Sequence, residues 1–309
     1  MSEIIYIDRG SQERKVEEVY GEKFIKAMYG SGPISSIASL LLSQIACKSS
    51  VLSHLYGFLQ KSRYSRRKIY PFIKKFHVDT SEFLCSVDRF ATFNDFFIRK
   101  LKPEARPLLG SDDIAILPAD ARYLVFPNIK ACDGFVVKGK KFSLQALLQD
   151  RELAEQYQEG SMVIARLCPT DYHRFHFPCD CIADIPRLLN GVLFSVNPLA
   201  LRKNIDIFSE NKRVVTQLTT KNFGRVLYIE VGATCVGGVI QTHLDEHMHR
   251  KGDEKGYFSF GGSSLILLFE KDAIQFDQDL IDASEQKVEV KGLMGQCMGR
   301  SLRLQSPCK

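Results

Sequence analysis

The sequence predicts an α+β fold, with a helical N-terminal region over residues 1–90 and a β-rich body over residues 91–309. Three observations predict it. Apolar residues recur at helical spacing through Ile34, Ile37, Leu40, Leu41, Leu42 and Ile45, and again through Val51, Leu55 and Leu59. Beyond residue 110, short runs of β-forming residues take over, punctuated by Gly and Pro. The composition, 45% hydrophobic and 25% charged over 309 residues, is that of an ordinary globular chain and excludes disordered, collagen-like and coiled-coil classes.

In chain order, Met1 to Gly10 carries Glu3, Asp8 and Arg9 and lacks the basic start and apolar run of a secretory leader. The longest apolar stretch, Ile34 to Cys47, is interrupted by Ser35, Ser36, Ser39, Ser43 and Gln44. It falls short of the roughly 20 apolar residues that a spanning helix needs. Lys61 to Lys75 then holds seven cations (Lys61, Arg63, Arg66, Arg67, Lys68, Lys74 and Lys75) and no acid, interleaved with Tyr64, Ile69, Tyr70, Phe72 and Ile73. On its residues alone this is either a solvated face of a core helix or a surface that lies on anionic headgroups.

In the body, strands are expected at Tyr123 to Phe126, Phe135 to Val137, Ser161 to Ala165, Gly191 to Val196, Arg225 to Val231, Val236 to Thr242 and Leu265 to Phe269. One helix is expected between Leu144 and Tyr157.

Charge and cysteine usage narrow the partners. A net charge of +6 is mild, and no RNP-type or helix-turn-helix pattern is present, so nucleic acid is not an expected partner. Nine cysteines, an odd number scattered from Cys47 to Cys308, make no disulfide framework and point to a reducing compartment. Cys179-Asp180-Cys181 is too tight for the usual zinc spacing.

Three places carry residues suited to chemistry. Asp120 lies in Pro118-Ala-Asp-Ala-Arg122 between two β-type runs, where an acid commonly caps a turn. His173 and His176 fall in the dense segment Pro169-Thr-Asp-Tyr-His-Arg-Phe-His-Phe-Pro178, and imidazoles near neutral pH serve as acid or base. Gly261-Gly262-Ser263-Ser264 precedes the run Leu265 to Phe269. It reads either as a turn or as a self-modifying site. In the second reading, flexible glycines let a serine hydroxyl reach the preceding carbonyl. A rival pattern, His243-Leu-Asp-Glu246-His247, fits the H-x-x-E-H zinc-peptidase motif, which requires both His and the Glu on one helical turn. The β-type residues before it and Lys251-Gly-Asp-Glu-Lys-Gly256 after it favour a polar loop instead.

Read together, the segments from about residue 90 to residue 270 resemble the pyruvoyl-dependent phosphatidylserine decarboxylase family. They are Phe93-Asn-Asp-Phe-Phe-Ile-Arg99, Arg106-Pro107, Leu117-Pro-Ala-Asp120, Lys138-Gly139, and Ser143-Leu144 with Leu147-Leu148. Asp171-Tyr-His-Arg-Phe-His-Phe-Pro178, Val196-Asn-Pro198 and Asn211-Lys-Arg-Val-Val215 follow. Val231-Gly-Ala-Thr-Cys-Val-Gly237, Lys251-Gly-Asp-Glu-Lys-Gly256 and Phe260-Gly-Gly-Ser-Ser264 complete the set. Each is weak alone; the ordered series is specific.

The resemblance implies a zymogen that cuts itself at Gly262-Ser263. Chains 1–262 and 263–309 would stay together as a heterodimer, and Ser263 would become a covalent pyruvoyl group. Ser264 stands where the family more often has Thr. Asp120, His176 and Ser263 match the family's self-processing set, and His173 matches a position tied to decarboxylation. The implied reaction converts phosphatidylserine to phosphatidylethanolamine and CO2 through a Schiff base with the ketone, the electron-sink logic of pyridoxal phosphate. It further implies that the basic-aromatic stretch is a contact with anionic membrane, and that the protein is peripheral on the cytoplasmic side of a bacterial cytoplasmic membrane. The oligomeric state is left open, a homo-oligomer included. Two other readings are a zinc hydrolase using His243, Glu246 and His247, and a non-enzymatic membrane-binding protein.

Overall fold

A computed structural model describes residues 4–18, 57, 59–130, 136–137, 140–201, 204, 206–233, 238–261 and 263–303. The helical periodicity expected over residues 34–55 lies outside the described residues, as does Gly262. The described chain is α+β, rich in strands and with few, short helices.

Among the described residues, eleven strands form the main sheet. In chain order they are β1 Ile5–Asp8, β2 Glu13–Val16, β3 Ala121–Phe126, β4 Ser161–Leu167, β5 Cys181–Ala183 and β6 Arg187–Leu189. They continue with β7 Arg213–Thr220, β8 Arg225–Gly232, β9 Met248–His249, β10 Ser263–Phe269 and β11 Glu289–Gly292. The spatial order is β9-β5-β7-β8-β10-β4-β3-β11-β1-β2, with β6 also pairing β7. Every pairing is antiparallel except β1 on β11. Strand β10 reads Ser-Ser-Leu-Ile-Leu-Leu-Phe with no exposed residue. Such a run, apolar on both faces, belongs at the centre of a covered sheet.

The first described residues correct the sequence reading. Residues 4–18 form the β1–β2 hairpin at the sheet edge rather than helix. Ile4, Ile5, Tyr6 and Ile7 favour an extended chain. Asp8 makes the turn, its Oδ1 accepting from the amides of Gly10 (3.1 Å) and Ser11 (3.2 Å). Lys61 to Lys75 is helical, a 3-10 turn over Arg63–Lys68 running into helix α1, Ile69–Phe76. Helix α2, Phe93–Phe97, starts at a reciprocal capping box between Thr92 and Asp95.

Phe93, Phe96 and Phe97 of α2 are fully buried with Ile69, Phe72, Phe83, Phe90 and Phe260 in a second apolar cluster beside the main core. The expected helix Leu144 to Tyr157 is two, Leu144–Leu148 and Arg151–Tyr157. Gln149 at φ 49° stops the first, and Asp150 caps the second through Leu153 N at 3.0 Å. Gly191 to Val196 makes no strand, only a bridge from Val192 to Asn211. The Asn211 amide does the pairing, exchanging hydrogen bonds with both backbone groups of Phe194 (2.9 and 2.8 Å).

A small sheet of Val239–Gln241, Glu254–Phe258 and Arg174–His176 packs on the main sheet. Side chains alternate between faces along a strand. Glu230 is in register with Leu265, two residues on from the pair Gly232–Ser263, so Glu230 and Ser263 share a face. From the small sheet Lys255, fully buried, reaches that face and donates to Glu230 Oε1 (2.6 Å) and Thr216 Oγ1 (3.0 Å). The Tyr228 hydroxyl, on the same face, donates to the His176 carbonyl at 3.3 Å. The histidine-bearing sheet therefore covers the side of the main sheet to which Ser263 belongs. No helix among the described residues is long and apolar enough to cross a membrane.

Candidate active site

One end of the main sheet collects the chemistry. Val231, Ser264, Arg166, Arg122 and Lys291 form one row across five adjacent strands. Strands β10 and β3 both run antiparallel to β4. They begin at the end where β4 stops, which puts Ser263, Asp120 and the segment from Cys168 to His176 together there.

Ser263 opens β10, paired with Gly232 on one side and Leu167 on the other. Its side chain is wholly buried, and its Oγ has no hydrogen-bond partner among the described residues. A buried hydroxyl without a partner forgoes the hydrogen bonds it made in water, at a cost of about 1–3 kcal/mol. Gly261, two residues upstream, holds φ 145°, a backbone state that side-chain-bearing residues seldom adopt. Ser264 Oγ is also buried without a partner but points to the opposite face, beside Arg166.

His173 is completely buried. Its Nδ1 lies 2.9 Å from the Asp171 carbonyl, an acceptor, so the proton sits on Nδ1 and Nε2 keeps its lone pair. That Nε2 has no partner among the described residues. Burial pushes the imidazole down to about 4, against the opposing pull of the Asp171 carbonyl and charge. Its ring lies 3.8 Å from that of Phe97, and Phe97 lies 4.9 Å from Phe260, three residues before Ser263. The Phe260 amide is fixed by Asn94 Oδ1 at 3.0 Å.

His176 is oriented otherwise. Its Nδ1 donates to the Gly252 carbonyl (2.9 Å), and its Nε2 receives the Tyr172 hydroxyl (3.3 Å). Burial lowers its pKa, while the Gly252 hydrogen bond and the charges of Glu254 and Asp120 work the other way. Gly252 presents its carbonyl at φ 87°, and a Cβ there would fall 2.5 Å from Leu108 Cδ1.

Asp120 caps the turn at Met294 and makes no hydrogen bond to His176 among the described residues. Its carboxylate is held by Arg106, Nε to Oδ1 at 2.9 Å and Nη2 to Oδ2 at 2.7 Å, and by the Met294 amide at 2.9 Å. Arg106 also grips Glu82 with two hydrogen bonds of 2.9 Å. Burial works against the Arg106 charge, yet the two carboxylates raise its pKa above the ordinary guanidinium value. Asp120 thus shares the sheet end with His173, His176 and Ser263, but no hydrogen bond joins it to either imidazole among the described residues.

Sequence reading missed Arg106, Tyr172 and Asp171 as parts of this site. Arg106-Pro107 and Asp171-Tyr172 stand inside the quoted motifs, which was the only signal.

The zinc motif does not form. His243 to His247 is irregular chain and turn, with Glu246 at φ 57°, not a helical turn. His243 Nδ1 is taken by the Lys255 carbonyl (3.1 Å) and His247 Nδ1 by the Asp245 carbonyl (2.6 Å). The two imidazoles and Glu246 therefore lack the shared face the motif needs.

Comparison with known proteins gives the family. A phosphatidylserine decarboxylase family model matches residues 93–299. Over 303 residues the chain is 50% identical to a phosphatidylserine decarboxylase proenzyme of Chlamydia caviae, covering 98% of this chain and 100% of that one. A proenzyme of the same name from Chlamydia pneumoniae is 49% identical over 298 residues, 96% of this chain and 97% of the relative. One from Chlamydia trachomatis serovar L2 is 44% identical with the same coverage. With a family model over two thirds of its length and relatives of 44–50% identity over nearly all of it, the chain belongs to the phosphatidylserine decarboxylase family.

Proposed function

We propose that this chain is a carboxy-lyase that converts phosphatidylserine to phosphatidylethanolamine and CO2, after cutting itself between Gly262 and Ser263. The observation that carries the reading is Ser263: buried, unpartnered at Oγ, first residue of the central strand, and covered by the sheet that bears His176. A structural serine in that position would normally be hydrogen-bonded.

The chain's own groups account for maturation. His176, kept neutral by burial, takes the Ser263 hydroxyl proton at Nε2, displacing the loose Tyr172 contact. The Ser263 oxygen bonds to the Gly262 carbonyl carbon as the amide C–N bond breaks, leaving an ester and a free amine. Loss of the Ser263 α-proton and cleavage of its Cβ–O bond release Gly262 as a carboxylate. Water then replaces the amine, which leaves as ammonia, and position 263 ends as a pyruvoyl ketone. Asp120, locked to Arg106, contributes a fixed negative charge that favours the transient imidazolium. Residues 263–309 stay bound, because β10 keeps its pairings to β8 and β4 on both sides.

The ketone supplies an electron sink for the electron pair left when CO2 departs. His173 Nε2 is assigned to deliver the proton to that carbon. An anionic headgroup beside it would raise its basicity, since a nearby negative charge favours the imidazolium. The apolar wall of Phe97 and Phe260 keeps water from the reacting carboxylate.

The substrate's acyl chains remain in a bilayer. The seven cations from Lys61 to Lys75 are all exposed, as are Tyr64 (72%) and Tyr70 (57%), which supports a peripheral contact with anionic lipid. We infer a place on the cytoplasmic face of a bacterial membrane.

Intact-mass analysis together with a decarboxylation assay on phosphatidylserine micelles tests the reading. The wild type should give two chains, 1–262 and 263–309, and turn over substrate; Ser263→Ala should remain one chain and be inactive. A fully active enzyme that stays full length would overturn it.

A further inference from the structure

We propose that Glu17, delivered by the N-terminal hairpin, is a positioning residue for the active site; this rests on the reading of Ser263 and His173 given above. Arg122 and Arg166 stand directly opposite each other on β3 and β4, with side chains only 6% and 4% exposed. Like charges facing one another on adjacent strands repel, and burial sharpens the cost. Glu17 is the carboxylate that touches both. It accepts from Arg166 Nη1 (3.1 Å) and Nη2 (2.7 Å) and lies 3.4 Å from Arg122 Nε. Its own side chain is 6% exposed.

Both arginines lead to the reacting groups. Arg122 Nη1 holds the Asp171 carboxylate, 2.6 Å to Oδ1, and the Asp171 carbonyl takes the His173 Nδ1 proton. Arg166 lies in register with Ser264, the neighbour of Ser263, and is anchored on its far side by Glu289 Oε1 at 2.9 Å. The hairpin fixes Glu17 by two independent ties. The Glu17 amide donates to the Ile4 carbonyl (2.8 Å), and β1 runs parallel to β11, the strand that carries Glu289. Glu17 therefore sets the spacing of two guanidiniums whose other ends fix the His173 tautomer and the back of the scissile strand. A segment far outside the motif region becomes part of the site.

The test compares Glu17→Gln, the apolar triple variant Glu17→Leu/Arg166→Leu/Glu289→Leu, and Glu13→Gln as a control on the exposed side of the same hairpin. Cleavage half-time, kcat, KM and melting temperature are measured on the full chain with phosphatidylserine micelles. Glu17→Gln should lengthen the cleavage half-time and lower kcat by about tenfold or more, with KM within about twofold, because spacing rather than binding is lost. Glu13→Gln should match wild type. The triple variant replaces the whole Glu17–Arg166–Glu289 cluster by apolar side chains, leaves Arg122 paired with Asp171, and is expected to fold; it should still mature slowly, and it decides the matter if Glu17→Gln does not fold. Cleavage and turnover within twofold of wild type in either variant, whatever the change in melting temperature, would reduce Glu17 to a structural ion pair and overturn the proposal. Wild-type chain that stays uncut refutes the Ser263 reading itself, and it is seen in the same mass spectra before any variant is compared.

Discussion

Arg106 holds Asp120 side-on, two of its nitrogens on the two carboxylate oxygens at 2.9 and 2.7 Å, while its remaining donors span to Glu82. A planar fork suits this double grip, and a lysine cannot reproduce it. Among the described residues, Arg106→Gln would leave the Asp120 carboxylate buried with only the Met294 amide as partner. Loss of one member of a buried pair costs about 3–5 kcal/mol. We expect a large drop in the urea midpoint for Arg106→Gln and slow self-cleavage in the folded fraction. Arg106→Lys should recover only part of each. Equal cleavage rates in wild type and Arg106→Gln would detach Asp120 from maturation.

The two serines at the start of β10 should behave oppositely. Ser264 Oγ is buried with no partner among the described residues, so Ser264→Ala removes a hydroxyl that makes no hydrogen bond there. It should be neutral or stabilising by about 1 kcal/mol, and gel analysis should still show two chains. Ser263→Ala should stop cleavage outright. An uncut Ser264→Ala would mean that the second hydroxyl takes part.

Much of this was legible in the sequence, and the rest was hidden for a physical reason. The buried run Leu265 to Phe269 announces a central strand because it is apolar on both faces, and the ordered motifs bring out Asp120, His173, His176 and Ser263. The β1–β2 hairpin was overlooked because its place depends on parallel pairing with β11, hundreds of residues away, which leaves no local period. Partners such as Arg106 for Asp120, or Glu17 for Arg122 and Arg166, are chosen by the fold. Charged residues on a turn or strand look like ordinary surface until the chain closes over them. Gly191 to Val196 misled for the converse reason: β-forming residues there are paired by the Asn211 side chain instead of a strand.

Acidification should cost stability through the histidines. The folded value of His173 is near 4 and its ordinary value is 6.5, so between those limits the unfolded chain binds the extra proton. The contribution of the buried neutral imidazole is complete above pH 6.5 and is lost as pH falls towards 4, by roughly 3 kcal/mol. His176, also lowered by burial, acts in the same direction. Urea midpoints at neutral pH and near pH 4.5 should fall more steeply for wild type than for His173→Gln. Parallel slopes would show that His173 is not held neutral.

The basic-aromatic stretch yields the last prediction. On α1 and the turn before it, Ile69 and Phe72 face the core while the cations are exposed. Arg66 is partly engaged, donating to the Asp88 carbonyl at 2.8 Å, and Arg67 rests over the Tyr64 ring at 4.7 Å. Each cation at an anionic surface contributes about 1 kcal/mol. Arg66→Gln/Arg67→Gln/Lys68→Gln together should therefore weaken binding to phosphatidylserine-containing vesicles by up to about a hundredfold at low salt. Lys68 Nζ also donates to Oε1 of the buried Gln60 at 3.1 Å, so the prior contacts of Arg66 and Lys68 reduce their shares. The loss should shrink as salt is raised, because screening already weakens the wild type. Binding to phosphatidylcholine vesicles and turnover of micellar substrate should stay as in wild type, since Arg66, Arg67 and Lys68 are exposed on the helical segment and are not among the residues assigned to the chemistry. Cosedimentation that is unchanged on anionic vesicles would make the stretch a solvated helix face, and the lipid would then have to approach from another side.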